Sequence, residues 1–323
     1  MDIHGIGNAL VDTEIQVKPS DLKALGLEKG LMTLIDENKR HAIEDYFTSH
    51  SKNQACGGSA ANTILTATHC GARCSYSFRV GNDETGELFV SDFKTHGVHT
   101  QEQDRPAGET GRCLVLVTED ADRTMATHLG VSAQFSALDL DETSIENASW
   151  LYIEGYLVTS ETGVEAAIKA RQVAEQHDTK IAITLSDPGI VSFFSQQFQT
   201  IVGSGVDLLF CNEEEALAFT ETESIDAAII ALKRIAKTFV ITLGPKGAIV
   251  YDGLRVHSIP GTPVKAIDTN GAGDCFAGVF LGSLVQGDSY EASGQKAAKA
   301  AAKLVTQFGP RLSAQDIQVY TPS

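Results

Sequence analysis

From residue 150 onward, short apolar runs alternate with stretches of helical spacing, and that rhythm leaves few folds open. The apolar runs cover residues 150–153, 181–185, 207–210, 238–243 and 248–251, and helical spacing marks 162–176, 213–220 and 226–235. Short runs without polar alternation suit strands buried on both faces, and strands separated by helices pair in parallel. The expectation is a doubly wound, mostly parallel α/β sheet. A final Ala/Lys-rich helix over 290–308 stops at Gly309-Pro310.

The first half is less regular. Strands are expected over 3–10, 11–17, 30–35 and 74–80, and helices over 19–25, 37–47, from Gly57-Gly58 to Cys70, and over 84–96. Residues 98–103, 111–117 and 123–128 are strand-like, and Glu119-Asp120-Ala121-Asp122 is a polar connection suited to a hairpin. With 14–17 and 31–35 they are expected to form a small β-sheet outside the main one, as a lid would. The division expected is a core of residues 1–12, 38–97 and 131–323, with 13–37 and 98–130 as the lid.

The 323 residues are 42% hydrophobic and 21% charged, values of a folded globular chain. A net charge of -17 leaves no basic stripe for nucleic acid or an anionic membrane surface. A phosphate-bearing substrate must then be held by local donors. No run approaches the length of a membrane-spanning helix, and Met1-Asp2-Ile3-His4-Gly5 lacks the basic and apolar regions of a signal peptide. The six cysteines complete no zinc pattern and read as buried thiols of a reducing, cytoplasmic setting; the nine histidines show no metal-ligand grouping.

Several loops carry candidate chemistry. In Asp268-Thr269-Asn270-Gly271-Ala272-Gly273-Asp274, a turn of small residues enters an apolar helix. Its N–H groups have no intrahelical partners, and the helix dipole adds positive charge, which makes an anion site. Asp274 can cap that helix, or stand beside bound phosphate and take a proton from an attacking hydroxyl. Asn212, with Glu215 at the capping-box position, follows a buried strand where open sheets bind ligands; the pair can cap a helix or hold hydrated Mg²⁺. Thr242-Leu243-Gly244-Pro245-Lys246-Gly247 offers a second glycine turn, and Gly57-Gly58 permits close ligand approach with Asn62 one helical turn on. Two look-alikes fail. Gly5-Ile6-Gly7-Asn8-Ala9-Leu10 lacks the third glycine of a dinucleotide fingerprint, and Gly81-Asn82-Asp83-Glu84-Thr85-Gly86-Glu87 has Glu87 where a phosphate loop needs lysine.

In this order, the motifs resemble those of the ribokinase-like (PfkB) family of sugar and nucleoside kinases. The resemblance rests on Gly57-Gly58 with Asn62, Asn212 with Glu215, Thr242 with Gly244 and Gly247, and the run from Asp268 to Asp274, of which the last is the most specific. It implies an αβα core with a small β-sheet lid and phosphoryl transfer from ATP with Mg²⁺. Asp274 then resembles the catalytic base, and Gly271, Ala272 and Gly273 the anion hole. Asn212 and Glu215 resemble the pair near Mg²⁺, and Thr242, Gly244 and Gly247, with Asn212, the ATP-binding elements. Arg123 resembles a lid arginine that reaches the phosphates. In several members a monovalent cation such as K⁺ binds beside the anion hole, near Asp268 and Asn270.

Within the family, the opening Gly7-Asn8-Ala9-Leu10-Val11-Asp12, the pair Gly57-Gly58 and Asn270 resemble adenosine kinases. Asn8, Asp12, Gly57, Gly58 and Asn62 then stand at the substrate, a carboxylate and an amide gripping a ribose diol. Gly189 departs from the pattern, since an aromatic residue often stands there; base stacking would fall to Tyr156 or a lid residue. The implied activity is transfer to the 5′-hydroxyl of a ribonucleoside, adenosine above all. A sugar kinase acting on ribose, a fructose derivative or a keto-deoxy sugar acid is the alternative, and a non-catalytic nucleoside sensor the third reading. A monomer or a homodimer fits equally.

Overall fold

The computed structural model describes residues 1–50, 52–101, 104–120 and 122–320. The chain opens with β1 (Ile3–Ile6) and passes directly into β2 (Leu10–Gln16) of a different sheet. Helix α1 (Pro19–Ala24), β3 (Met32–Leu34), α2 (Glu37–Tyr46) and β4 (Lys52–Gly57) follow, then α3 (Ser59–His69), β5 (Cys74–Ser77) and α4 (Glu84–Thr95). The hairpin β6 (Gly111–Val117) and β7 (Arg123–His128) leads through α5 (Glu142–Glu146) to β8 (Trp150–Ile153). The second half runs α6 (Glu161–Gln176), β9 (Lys180–Thr184), α7 (Pro188–Phe193), α8 (Ser195–Val202), β10 (Val206–Asn212), α9 (Glu213–Thr220) and α10 (Ile225–Leu232). It closes with β11 (Ala236–Thr242), β12 (Gly247–Tyr251), β13 (Val256–Pro260), α11 (Ala272–Val285), α12 (Tyr290–Leu304) and α13 (Ala314–Gln318).

The large sheet has eight strands in the order β13-β12-β11-β10-β9-β8-β1-β5, parallel except at the β11-β12-β13 edge. Its central strands are apolar throughout because alternate residues enter different cores. Trp150 and Tyr152 of β8 join the core under α3, α11 and α12, whereas Leu151 and Ile153 join the core under α6 and α8. The same split separates Leu208 and Phe210 from Leu209 and Cys211 on β10. A strand that feeds two cores has no wet face, which is why the sequence shows unbroken runs there.

The small sheet runs β3-β7-β6-β2-β4. One face, with Ile15, Leu114, Leu116 and Ala126, packs against Leu22 of α1 and Ile43 and Phe47 of α2. The other face turns Asp12, Cys113, Arg123, Met125 and Thr127 towards the carboxyl ends of the large sheet.

The structure differs from the sequence reading at several places. Residues 98–101 form no lid strand: His99 makes one bridge to Ser75 at the edge of the large sheet, and Glu102 and Gln103, the rest of that expected strand, lie outside the described residues. Lys52–Gly57 and Leu10–Asp12, counted above with the core, pair in the small sheet. Helices α7 and α8 and the edge strand β13 went unread. The hairpin connection is described except at Ala121. All six cysteines are free and buried, and no helix among the described residues is long and apolar enough to cross a membrane.

Candidate active site

Every parallel strand near the middle of the large sheet delivers a polar residue just beyond its carboxyl end: Asn8 after β1, Glu154 after β8, Asp187 after β9, Asn212 at the end of β10 and Thr242 at the end of β11. Open α/β sheets bind ligands there, because helix N-termini and strand ends converge on one crevice. Helix α11 starts in the middle of it.

Gly271 caps α11 with a left-handed backbone, φ 71°. A Cβ at Gly271 would also come within 2.2 Å of the Pro310 carbonyl oxygen, so glycine is required twice over. A Cβ at Gly273, by contrast, would meet nothing within 4 Å. The protein leaves that space open. Asp268 anchors the turn, accepting hydrogen bonds from the backbone N–H of Asn270 at 2.9 Å and of Gly309 at 3.1 Å.

Asp274, in the first turn of α11, is tied across to α3. Ser59 donates to Oδ1 at 2.7 Å and the Asn62 amide donates to Oδ2 at 2.9 Å. Burial raises the Asp274 carboxyl above its ordinary pKa, opposed by these two donors and by Arg123 and Arg311. Asp274 therefore caps nothing by side chain; its oxygens face α3 and the cleft.

That cleft lies beneath the small sheet. Asn8, Asp12, Gly58, Ser59, Asn62 and Asp274 make its polar end, and Met32, Leu34, Cys113, Met125, Leu129 and Tyr156 its apolar end. Asp12 points over Gly57, where a Cβ would lie within 2.2–2.4 Å of the carboxylate; side-chain absence makes room for it. Gly58 has φ 96°, and a Cβ there would strike the Asn8 carbonyl oxygen at 2.6 Å. Burial pushes Asp12 up to about 7, with Arg311 opposing and Asp274 adding to the shift.

A second cleft lies on the other side of the α11 N-terminus. Thr242, Gly244, Gly247, Thr269, Ala272 and Gly273 line it, with Phe276, Ala301 and Val305 along its apolar wall. Successive residues of one helical turn thus face different clefts: Gly273 the apolar slot, Asp274 the polar one. Arg123 reaches from the small sheet to the Asn270 side chain at 2.5 Å, next to this turn.

Asn212 and Glu215 stand apart from both linings. They form a reciprocal capping box at the start of α9: Glu215 N–H donates to Asn212 Oδ1 at 2.8 Å, and the Glu215 carboxylate accepts from the Asn212 backbone and amide at 3.0 and 2.7 Å. Burial lifts Glu215 to about 8, and Asp187, Asp274 and Glu214 add to it. A buried acid surrounded by further acids is a place short of positive charge, and oxygen donors of this kind fit hydrated Mg²⁺. Beside Asp268, Glu14 Oε1 is buried with no hydrogen-bond partner, and burial together with the Asp268 charge pushes Glu14 up to about 7. That orphaned oxygen fits a monovalent cation nearby.

Two site residues were missed in the sequence. Glu154, almost fully buried, accepts from the Asn8 backbone at 3.2 Å, the Asn8 amide at 2.8 Å and the Ala60 N–H at 2.8 Å, which joins the β1–β2 loop to α3. A carboxylate directly after an apolar strand was the available signal. Arg311 donates to Asn62 Oδ1 at 2.8 Å and to Asp92 at 2.7 Å. Nothing local marks it, because its partners lie more than two hundred residues away. Gly189 lies outside the lining of the cleft beneath the small sheet; its N–H serves the Asp187 cap of α7. Tyr156 does line it. Contrary to the sequence reading, one histidine joins a ligand-type group, His41 with Glu37 and Glu109, but the Arg40 guanidinium already sits 2.7 Å from both His41 Nε2 and Glu109.

The description "pfkB family carbohydrate kinase" matches residues 30–317. The chain belongs to that family. Among solved structures, this pfkB-family chain superposes on an adenosine kinase from Sinorhizobium meliloti with TM-score 0.93, at 32% identity over 98% of each chain. A probable sugar kinase from Rhizobium etli gives TM-score 0.93 at 30% identity, covering 98% of this chain and 97% of the other. The adenosine kinase of Saccharomyces cerevisiae is 27% identical over 333 residues, 97% of both. The αβα core with a small second sheet is the fold shared with these kinases, and the chain is a kinase.

Proposed function

We propose that the protein transfers the γ-phosphoryl group of ATP to the 5′-hydroxyl of a ribonucleoside, converting adenosine to AMP. The observation that carries this reading is the first turn of α11, which presents Gly273 to one cleft and Asp274 to the other. A donor in the apolar slot and an acceptor in the polar one meet at a helix N-terminus, where developing negative charge is stabilised.

Asp274 takes the proton of the acceptor hydroxyl as its oxygen attacks the γ-phosphorus, and ADP leaves. The N–H groups of Gly271, Ala272 and Gly273 receive charge on the transferring group. Asp12 and Asn62 hold the ribose hydroxyls, with Asn8 and the bare backbone of Gly57 and Gly58 allowing close approach. Thr242, Gly244 and Gly247 cradle ATP. Arg123 exchanges Asn270 for phosphate. When bound, Mg²⁺ near Asn212 and Glu215 supplies charge neutralisation on the phosphates; a K⁺-like ion near Asp268 and Asn270 completes the anion site. The small sheet, as the lid, excludes water.

The apolar end of the acceptor cleft favours a nucleoside over a free sugar. Met32, Leu34, Met125 and Tyr156 suit a flat base, whereas a pentose alone would leave them unfilled. Buried free thiols agree with a cytoplasmic setting. The outer face of the lid is already covered by α1 and α2, so a homodimer would use another surface and a monomer needs none. Initial rates with MgATP and a panel of nucleosides and sugars test the acceptor. Turnover of a free sugar with none of any nucleoside would replace adenosine by the sugar-kinase reading.

A further inference from the structure

The Asn62 amide cannot be turned over. Arg311 has only donors, so the atom it meets at 2.8 Å must be Oδ1, and the atom facing Asp274 at 2.9 Å must be Nδ2. Arg311 is itself braced by its 2.7 Å contact with Asp92 on α4. An unbroken chain of hydrogen bonds therefore runs from α4 through the segment after α12 to α3 and ends on the reacting carboxylate.

We propose that Arg311 is the positioning residue of the acceptor site: its Nε–H locks the Asn62 amide towards Asp274. Its guanidinium charge also opposes the burial that raises the Asp274 carboxyl. This rests on the reading of Asp274 as the base. If the amide were free to flip, Oδ1 would face the carboxylate, and one of its two side-chain donors would be lost. The carboxylate has strong need of both donors and charge. Asp12 from β2, Glu154 beyond β8 and Glu215 from α9 lie near enough for the Asp274 charge to raise each of them further above its ordinary range. Tyr76, Tyr152 and Tyr156 nearby are buried phenols raised above their ordinary pKa and remain neutral, as does the Cys275 thiol. Arg123 and Arg311 are the opposing cations, and Arg123 is the one committed to Asn270.

Two substitutions separate geometry from charge. Arg311→Gln places an amide N–H where the guanidinium Nε–H stands and removes the charge. Arg311→Lys keeps the charge and has no donor at that atom. The experiment records kcat and KM for nucleoside and for ATP across pH, with thermal melts as a control on folding. For Arg311→Gln the acid limb of kcat/KM moves up by about 1 pH unit, and the rate returns to within a few-fold of wild type at alkaline pH. For Arg311→Lys the limb stays in place while kcat falls about tenfold at every pH. KM for ATP is unchanged in both. An unmoved acid limb in Arg311→Gln, or a proportional loss at all pH in both variants, overturns the proposal. Asp274→Asn in parallel decides the base reading separately: if that variant turns over normally, the base reading has failed; if it is inactive and the Arg311 variants show no shift, only the role of Arg311 has failed.

Discussion

Arg123 of β7 donates to the Asn270 side chain at 2.5 Å, which ties the small sheet to the loop that starts α11. A cation from the lid thus rests beside the proposed anion hole, held by a neutral amide oxygen. A phosphate oxygen is the stronger acceptor, so the guanidinium is placed to exchange one partner for the other when ATP binds.

Arg123→Met therefore lowers kcat by about 100-fold or more, as loss of a transition-state donor does, while ATP affinity changes little. Steady-state rates with a separate ATP titration check this. A fall in ATP affinity with kcat intact would place Arg123 in ground-state binding instead.

The glycines of the α11 turn separate folding from function. Gly271→Ala meets a positive φ and the Pro310 carbonyl, and costs about 2 kcal/mol or more in a denaturant titration. Gly273→Ala meets open space, so stability stays within about 0.5 kcal/mol while transfer is lost to a methyl group in the phosphate's place. Equal destabilisation of both variants would contradict the assignment of that space to phosphate.

Gly57→Ala acts on the acceptor. Its methyl would overlap the Asp12 carboxylate, which must swing away from its present position. KM for the nucleoside rises about tenfold or more, with KM for ATP unchanged. A rise in the ATP term alone would move Asp12 and Gly57 out of the acceptor site.

Asp12 and Glu154 are pushed up to about 7 and Glu215 to about 8, each raised by burial. Carboxyls of the unfolded chain titrate at about 4, so between these values the folded protein binds more protons than the unfolded one. Stability is then full below the unfolded value, falls as pH rises from about 4, and levels off above about 7 to 8. Melting temperatures of the ligand-free protein are expected to drop across that window, and MgATP to flatten the drop. A melting temperature that climbs with pH there would show these acids ionised without cost.

How much of this was legible depended on how far each signal reached along the chain. The strands that feed two cores announced themselves, since Leu208 to Cys211 is apolar whichever face is counted. Strand β4 did not: Lys52-Asn53-Gln54 shows no apolar period, and its place is set by pairing with β2. Residues 98–103 carried strand-like composition, and among the described ones, 98–101, His99 makes one bridge. In the site, Asp274 and its glycines were visible because they act within one turn. Glu154 and Arg311 were not, because their partners are remote in sequence, and Asn62 gained its meaning only once Arg311 fixed its amide.

Asp274→Asn tests the account most directly. The substitution keeps the volume of the side chain and removes its capacity to take a proton. Turnover of adenosine with MgATP is expected to fall by about 1000-fold or more, with calorimetric ATP affinity within a few-fold of wild type. Turnover near the wild-type rate would remove Asp274 from the chemistry and contradict the proposed mechanism.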